Sequence, residues 1–262
     1  MLEPLLTPKF QPPRLHSSVL RRSRLLAQLE AGHEGKLILI SAPAGFGKTT
    51  LVRQWLDEVA QRDTAPTVAW LSLDRNDNDP LRFCRYLITA CQVFGNAVGL
   101  QSLALLEPPI AIRSPLEMIL TAFVNELAQT AGKCVLVLED YHVINTLVIH
   151  EALTFLLDHL PPHMQLLMIT RTNVPLPLAR MRAAGELTEI EAPDLRFSDA
   201  ETTAFLQQLT TLALPPAELA QVVSRIEGWA AGLRLIMLAL QGHQDPNSLR
   251  LVLANFVAGR RG

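Results

Sequence analysis

Short, almost uninterrupted apolar runs alternate along most of the chain with longer segments whose apolar residues recur every three or four positions. The runs fall at 36–41, 67–73, 134–139, 165–170 and 187–191. Stretches such as VLVL and LLMI show no polar alternation, so both faces of these strands must be covered, which is the environment of a parallel sheet. The periodic segments predict helices at 22–30, 48–61, 147–160 and, briefly, 178–184. Another opens at Asp79-Pro80, with Cys84, Leu87, Ile88, Cys91 and Phe94 along one face, and one follows Ser114-Pro115, carrying Leu116, Ile119, Leu120, Phe123, Val124, Leu127 and Ala131. Strand and helix alternate throughout, giving a doubly wound α/β layer. Beyond Ser198 the pattern is helical only, at 199–209, 216–227, 229–241 and 246–258. The chain therefore divides into an arm with a short helix (1–30), an α/β domain (31–196) and a helical segment (197–262). The arm carries four prolines in its first 20 residues and reads as extended. The last helix runs into Gly259-Arg260-Arg261-Gly262 with no further unit, so a truncated product is expected.

With 262 residues, 49% hydrophobic and 18% charged, the chain can bury a large core and a smaller appendage. A net charge of −2 exerts no global pull on nucleic acid. No apolar run approaches the roughly 18 residues of a membrane span, and no apolar stretch follows basic residues at the N-terminus. The expectation is a cytoplasmic protein with no membrane partner. Cys84, Cys91 and Cys134 cannot all pair and form no CxxC or Cys/His pattern, so they read as reduced thiols packed in the core.

One segment joins a strand to a helix through a turn of unusual composition. In KLILISAPAGFGKTT, apolar residues 37–40 lead into a turn containing Gly45 and Gly47, and Lys48-Thr49 opens the amphipathic segment LVRQWLDEV. A nucleoside triphosphate concentrates its charge on the β and γ phosphates, and backbone N–H groups can wrap them only where side chains do not obstruct. Lys48 can reach those phosphates as a point charge, Thr49 offers a hydroxyl to Mg²⁺, and the helix aims its positive end at the anion. This is the shape of a P-loop, formed by Ala42, Pro43, Ala44, Gly45, Phe46, Gly47, Lys48, Thr49 and Thr50, with Ala42 where the usual pattern begins with Gly. ATP or ADP with Mg²⁺ is the expected ligand. The bland alternative is a glycine-rich turn without a ligand.

Such a loop needs an acidic partner at the end of another strand. In VLVLEDYH, Glu139-Asp140 end an apolar run at the carboxyl edge of the sheet, where ligands bind. Glu139 is expected to face Mg²⁺ through its water and Asp140 to polarise the attacking water; the alternative is two strand-ending acids in solvent. Arg171, after Thr170, either reports the γ phosphate or is a surface arginine paired with an acid. Asp74 is either a site member or a helix cap. His142 is expected to anchor a loop by a hydrogen bond.

The arm TPKFQPPRLHSSVLRRSRLLAQL, the loop SAPAGFGKTTLVRQW, and the segments WLSLDRNDNDPLRFCRYLITA, LVLEDYHVI, ITRTNVPLPLARMRAAGEL, LRFSDAE and EGWAAGLRL occur in an order spanning nearly all 262 residues. Together they resemble a STAND-type signalling ATPase, and within that group the N-terminal part of the large, MalT-like ATP-binding LuxR-type transcriptional regulators. The resemblance implies a P-loop NTPase with a five-stranded parallel sheet in the order 2-3-4-1-5 and a helical lid over the nucleotide. It places Val19, Leu20, Arg21 and Arg22 near the adenine, and Gly228-Trp229-Ala230 where relatives carry a Gly-x-Pro motif, with Ala230 for the proline and Trp229 equally readable as core. Glu139 stands where the family has Asp. In such proteins ATP plus a small-molecule inducer supports self-association, whereas ADP favours a closed monomer. Relatives continue into a helical-repeat sensor and a DNA-binding helix-turn-helix, so DNA contact is expected only through a C-terminal domain absent from this chain. The implied function is a slow, regulatory ATPase module. A switch that binds without hydrolysing, and a P-loop small-molecule kinase with its acceptor pocket near the helices after residue 80, are the competing readings.

Overall fold

The computed structural model describes residues 4–15, 19–107, 116–209, 223 and 228–240. Five parallel strands form one sheet: β1 (Leu37–Ser41), β2 (Thr67–Ser72), β3 (Cys134–Glu139), β4 (Met164–Thr170) and β5 (Leu187–Glu191), in the order β2-β3-β4-β1-β5. This is the order that the family resemblance implies. The helices are α1 (Ser23–Ala31), α2 (Lys48–Val59), α3 (Pro80–Cys91), α4 (Leu100–Leu105), α5 (Leu116–Leu127), α6 (Leu147–Asp158), α7 (Leu178–Ala183), α8 (Ala192–Leu195), α9 (Asp199–Leu209) and α10 (Ala230–Leu240).

Successive side chains of a strand point to opposite faces, so an unbroken apolar run feeds two cores. Leu37 and Leu39 of β1 join Phe83 and Leu87 of α3, Phe123 of α5 and Leu153 of α6. Ile38 and Ile40 point the other way, to Leu25 and Leu29 of α1 and to Val52 and Trp55 of α2. Every residue of β3 and β4 is buried. The register pairs Ser41 with Thr170 and Ser72 with Glu139, so β1, β2, β3 and β4 all end at one carboxyl edge.

Several local expectations shift. The arm is not simply extended: residues Thr7–Phe10 form a 3-10 turn, and Lys9 is buried against Asp77 and Asp74, its ammonium 4.3 Å from the centroid of the Tyr86 ring. Asp74 is a cap, accepting from the Asn76 amide while Asp77 accepts from the Asp74 amide, in front of the turn Arg75–Asn78. The helices α4 and α8 have too few periodic residues to stand out in the sequence. Apart from Val223, which is helical and buried, the helix expected at 216–227 lies outside the described residues, as do the one at 246–258 and the Ser114-Pro115 start. The three cysteines are buried and free. Among the described residues no helix is long and apolar enough to cross a membrane.

Candidate functional site

Between β1 and α2 the chain turns through Gly45 and Gly47, both at φ +80°, a region that side chains with a Cβ rarely enter. The turn folds back over the α2 N-terminus. The Lys48 ammonium, buried here, donates to the carbonyls of Ala42 at 2.6 Å and Pro43 at 2.9 Å. Burial lowers its pKa, the nearby Arg171 charge adds to that, and Asp140 opposes it. A cation held by two neutral carbonyls would gain by exchanging them for a phosphate.

Beside it, the Thr49 hydroxyl donates to Glu139 Oε1 at 2.8 Å, and the Ser72 hydroxyl donates to Oε2 of the same carboxylate at 2.7 Å. Hydroxyl and carboxylate oxygens are the hard donors that Mg²⁺ prefers, so Thr49 and Glu139 fit that ion. No group of three or more His, Cys, Asp or Glu able to hold a metal occurs among the described residues, so the other ligands would be water and phosphate.

Asp140 is in the left-handed conformation at φ 57°, which turns its carboxylate from the strand toward the loop. Arg171 Nη2 lies 3.5 Å and His142 Nδ1 3.6 Å from Asp140 Oδ1. Burial lowers the His142 pKa, with the Asp140 charge pulling against it and Arg171 and Lys48 reinforcing it.

A cleft of about 390 Å³ opens over these groups, within the roughly 300–1,000 Å³ of small-molecule sites. One wall is Ala44 to Leu51 of the loop and α2, with Asp140 and Arg171; a second is Arg14, Leu15, Val19, Leu20 and Arg22 of the arm; a third is Phe197, Phe205, Ala230, Ala231, Leu233 and Arg234 of the helical segment. Five of the lining side chains are Lys or Arg against one carboxylate, a balance that suits a polyphosphate. A roomier groove of about 830 Å³ between α4 and α5 carries a single charged residue, the acidic Glu117, and no cation among its described lining residues.

The residues singled out from the sequence are thus distributed unevenly. Ala44, Gly45, Phe46, Gly47, Lys48, Thr49, Thr50, Val19, Leu20, Arg22, Asp140 and Arg171 line the cleft, and Glu139 sits behind Thr49. Arg171 unites its two readings, since it both faces the cleft and pairs with an acid. Ala42 and Pro43 contribute carbonyls to Lys48 and not walls. Arg21 is absent from the lining, in contrast to the adenine-side placement: its exposed guanidinium pairs with Glu58 of α2 at 2.7 Å. Gly228 and Trp229 are likewise absent from the lining. The Gly228 carbonyl accepts from the Phe197 amide, and the Trp229 indole packs against Gly45 and Gly232. Sequence reasoning missed Arg14, Leu15, Gln54, Phe197, Phe205 and Leu233. The segment LRFSDAE holds Phe197, but nothing local in it points to a cleft shared with the P-loop and the arm.

Residues 20–169 match the family model described as AAA ATPase domain. The chain is 34% identical over 251 residues to the serine/threonine-protein kinase PknK of Mycobacterium tuberculosis, covering 92% of this chain and 21% of that one. It is also 34% identical over 249 residues to the HTH-type transcriptional regulator MalT of Yersinia enterocolitica, covering 95% of this chain and 26% of MalT. The chain thus spans about a fifth to a quarter of the curated relatives it matches. Its fold is shared with a STAND protein bearing a tetratricopeptide repeat sensor from Pyrococcus horikoshii (TM-score 0.55, 15% identity, 86% of this chain and 30% of that one). It is shared too with Cdc6p from Pyrobaculum aerophilum (TM-score 0.57, 14% identity, 95% and 70%).

Proposed function

The chain belongs to the AAA ATPase domain family, and from that premise we propose that it is the regulatory nucleotide switch of a LuxR-type transcriptional regulator, binding ATP with Mg²⁺ and hydrolysing it slowly. One observation carries this reading: the cleft above Lys48 is walled by the P-loop on one side and the helical segment on the other, and the Ala231 amide donates to the Gly45 carbonyl at 2.9 Å. Whatever fills the cleft therefore acts on the contact between the two. PknK and MalT are named for different outputs, a protein kinase and a transcription regulator, yet both match nearly this whole chain, which supports a shared control module over either output.

In this reading the loop amides and Lys48 hold the β and γ phosphates. Mg²⁺ would be held by Thr49 and Glu139 and would neutralise charge across those phosphates. Asp140 orients the attacking water. A γ phosphate draws Arg171 off Asp140, so that the carboxylate is released for water at the moment the anion is in place. Loss of the γ phosphate lets the pair re-form, and that difference between states is what a switch needs. Inducer recognition and DNA contact would be the work of other parts of such a regulator, and self-association its response to ATP.

A second reading, binding without turnover, is favoured by Glu139, both of whose oxygens are already engaged by Thr49 and Ser72. Mass spectrometry of the purified protein for retained ADP or ATP, followed by a single-turnover assay, separates the two. Slow phosphate release abolished in Lys48→Ala supports the first, and tight binding without release the second. Absence of binding by calorimetry sinks both.

A further inference from the structure

Glu139 is held by a hydrogen-bond relay whose direction is fixed by chemistry. Ser72 is its register partner on β2, so the two side chains emerge side by side at the sheet edge. The Ser72 hydroxyl lies 2.7 Å from Glu139 Oε2, and the indole nitrogen of Trp70 lies 2.9 Å from the same Ser72 oxygen. An indole N–H can only donate. Ser72 Oγ must therefore accept from Trp70, and its single proton is committed to the carboxylate. Trp70 is 2% exposed and packed in the core under α2, which leaves its N–H no water to turn to. The other carboxylate oxygen accepts from Thr49. The order is Trp70 to Ser72 to Glu139, with Thr49 meeting Glu139 from the opposite side.

We propose that Ser72, oriented by Trp70, is the positioning residue that fixes the Glu139 carboxylate for a divalent cation beside Thr49. The proposal rests on the nucleotide reading above. A glutamate has one more rotatable bond than the aspartate common at such strand ends, and a free glutamate spends rotamer entropy each time it meets a metal. The relay removes that freedom beforehand. It holds Oε2 from behind, so that the lone pairs of Oε1 not used by Thr49 remain to face the ion. Outer-shell partners of metal ligands typically change affinity by about 10–100-fold when removed.

The test is a Mg²⁺ titration of the ATP-loaded chain, with Mn²⁺ paramagnetic resonance as a direct count of bound ion, independent of turnover. Ser72→Ala is expected to raise the half-saturating cation concentration about 10-fold while leaving ATP affinity in EDTA unchanged, with Ser72→Thr restoring the wild-type value. Trp70→Phe, which keeps the ring and removes only the N–H, is expected to shift it in the same direction by less; it also serves as the test if Ser72→Ala does not fold. In a Glu139→Gln background the Ser72 substitution is expected to add nothing, because Ser72 acts through that carboxylate. Unchanged cation dependence in Ser72→Ala and Trp70→Phe, or additivity with Glu139→Gln, overturns the relay while the nucleotide reading stands. Failure of the wild-type chain to bind ATP with or without cation overturns that reading, and the relay's role with it.

Discussion

At Gly45 the backbone and the space around it make the same demand. A Cβ there would sit 2.8 Å from the Ala231 Cβ and 3.3 Å from the Trp229 indole nitrogen, in a conformation that costs an L-residue about 1–2 kcal/mol. Gly47 has the same φ, but its added Cβ would meet only the Ala230 Cβ at 3.6 Å, ordinary contact. Gly45→Ala is therefore expected to lower the melting temperature more than Gly47→Ala and to loosen the helical segment, measured by calorimetry and by hydrogen exchange at α10. His150 offers a pH readout. It lies buried with Nδ1 2.5 Å from the Tyr141 hydroxyl, and burial holds its pKa below the ordinary 6.5. The unfolded chain binds its proton first, so stability is full above about pH 6.5 and falls as the pH drops from there toward the folded value. His150→Gln is expected to flatten that slope in denaturant titrations, partly and not wholly, since His142 is shifted in the same direction.

Among the elements, α4 depends on a residue that is not its own. Glu126 of α5 is 6% exposed and accepts from the Gly99, Gln101 and Ser102 amides and from the Ser102 hydroxyl, at 3.0, 2.6, 3.3 and 2.6 Å. A carboxylate there satisfies the orphan N–H groups of a helix start and meets its positive end. Glu126→Ala leaves the buried donors of Gly99 and Ser102 without partners and is expected to cost about 3 kcal/mol, read as a lowered urea midpoint and faster exchange of the three amides. Its consequences are invisible in the sequence, where a glutamate on a helix with an apolar stripe reads as a solvent-facing residue. The same division runs through the whole fold. The strands were legible because two-sided burial writes itself as an unbroken apolar run, and the loop because Gly45, Gly47, Lys48 and Thr49 act within a few residues of one another. Contacts made across the fold left no such trace: the Ser72–Glu139 pair depends on strand order, and the Lys9–Asp77 pair on where the arm folds back.

At the scale of the whole molecule, one guanidinium clasps the arm to the segment that follows β5. Arg22, just before α1, sends Nη1 to the Leu195 carbonyl and Nη2 to the Arg196 carbonyl, each at 2.6 Å; Nη2 also lies 3.3 Å from Glu201 of α9, and the group stacks 4.1 Å over the Phe197 ring. It is buried, burial lowers its pKa, and the Glu201 contact works against that. Arg22 and Phe197 both line the cleft, so this clasp ties the arm to the helical segment at the wall where a nucleotide would sit. Its geometry also decides which substitutions can replace it. A planar fork can serve two carbonyls and a carboxylate while lying flat on a ring, whereas an ammonium is a compact point charge that cannot. Both Arg22→Lys and Arg22→Gln are therefore expected to speed ATP dissociation, by about 10-fold for a loss near 1.4 kcal/mol, while α9 and α10 gain exchange and β1, β3 and β4 stay protected. The comparison of the two variants is the informative one: if Lys restored slow dissociation, charge alone would hold the helical segment in place and the forked contact to the Leu195 and Arg196 carbonyls would be incidental.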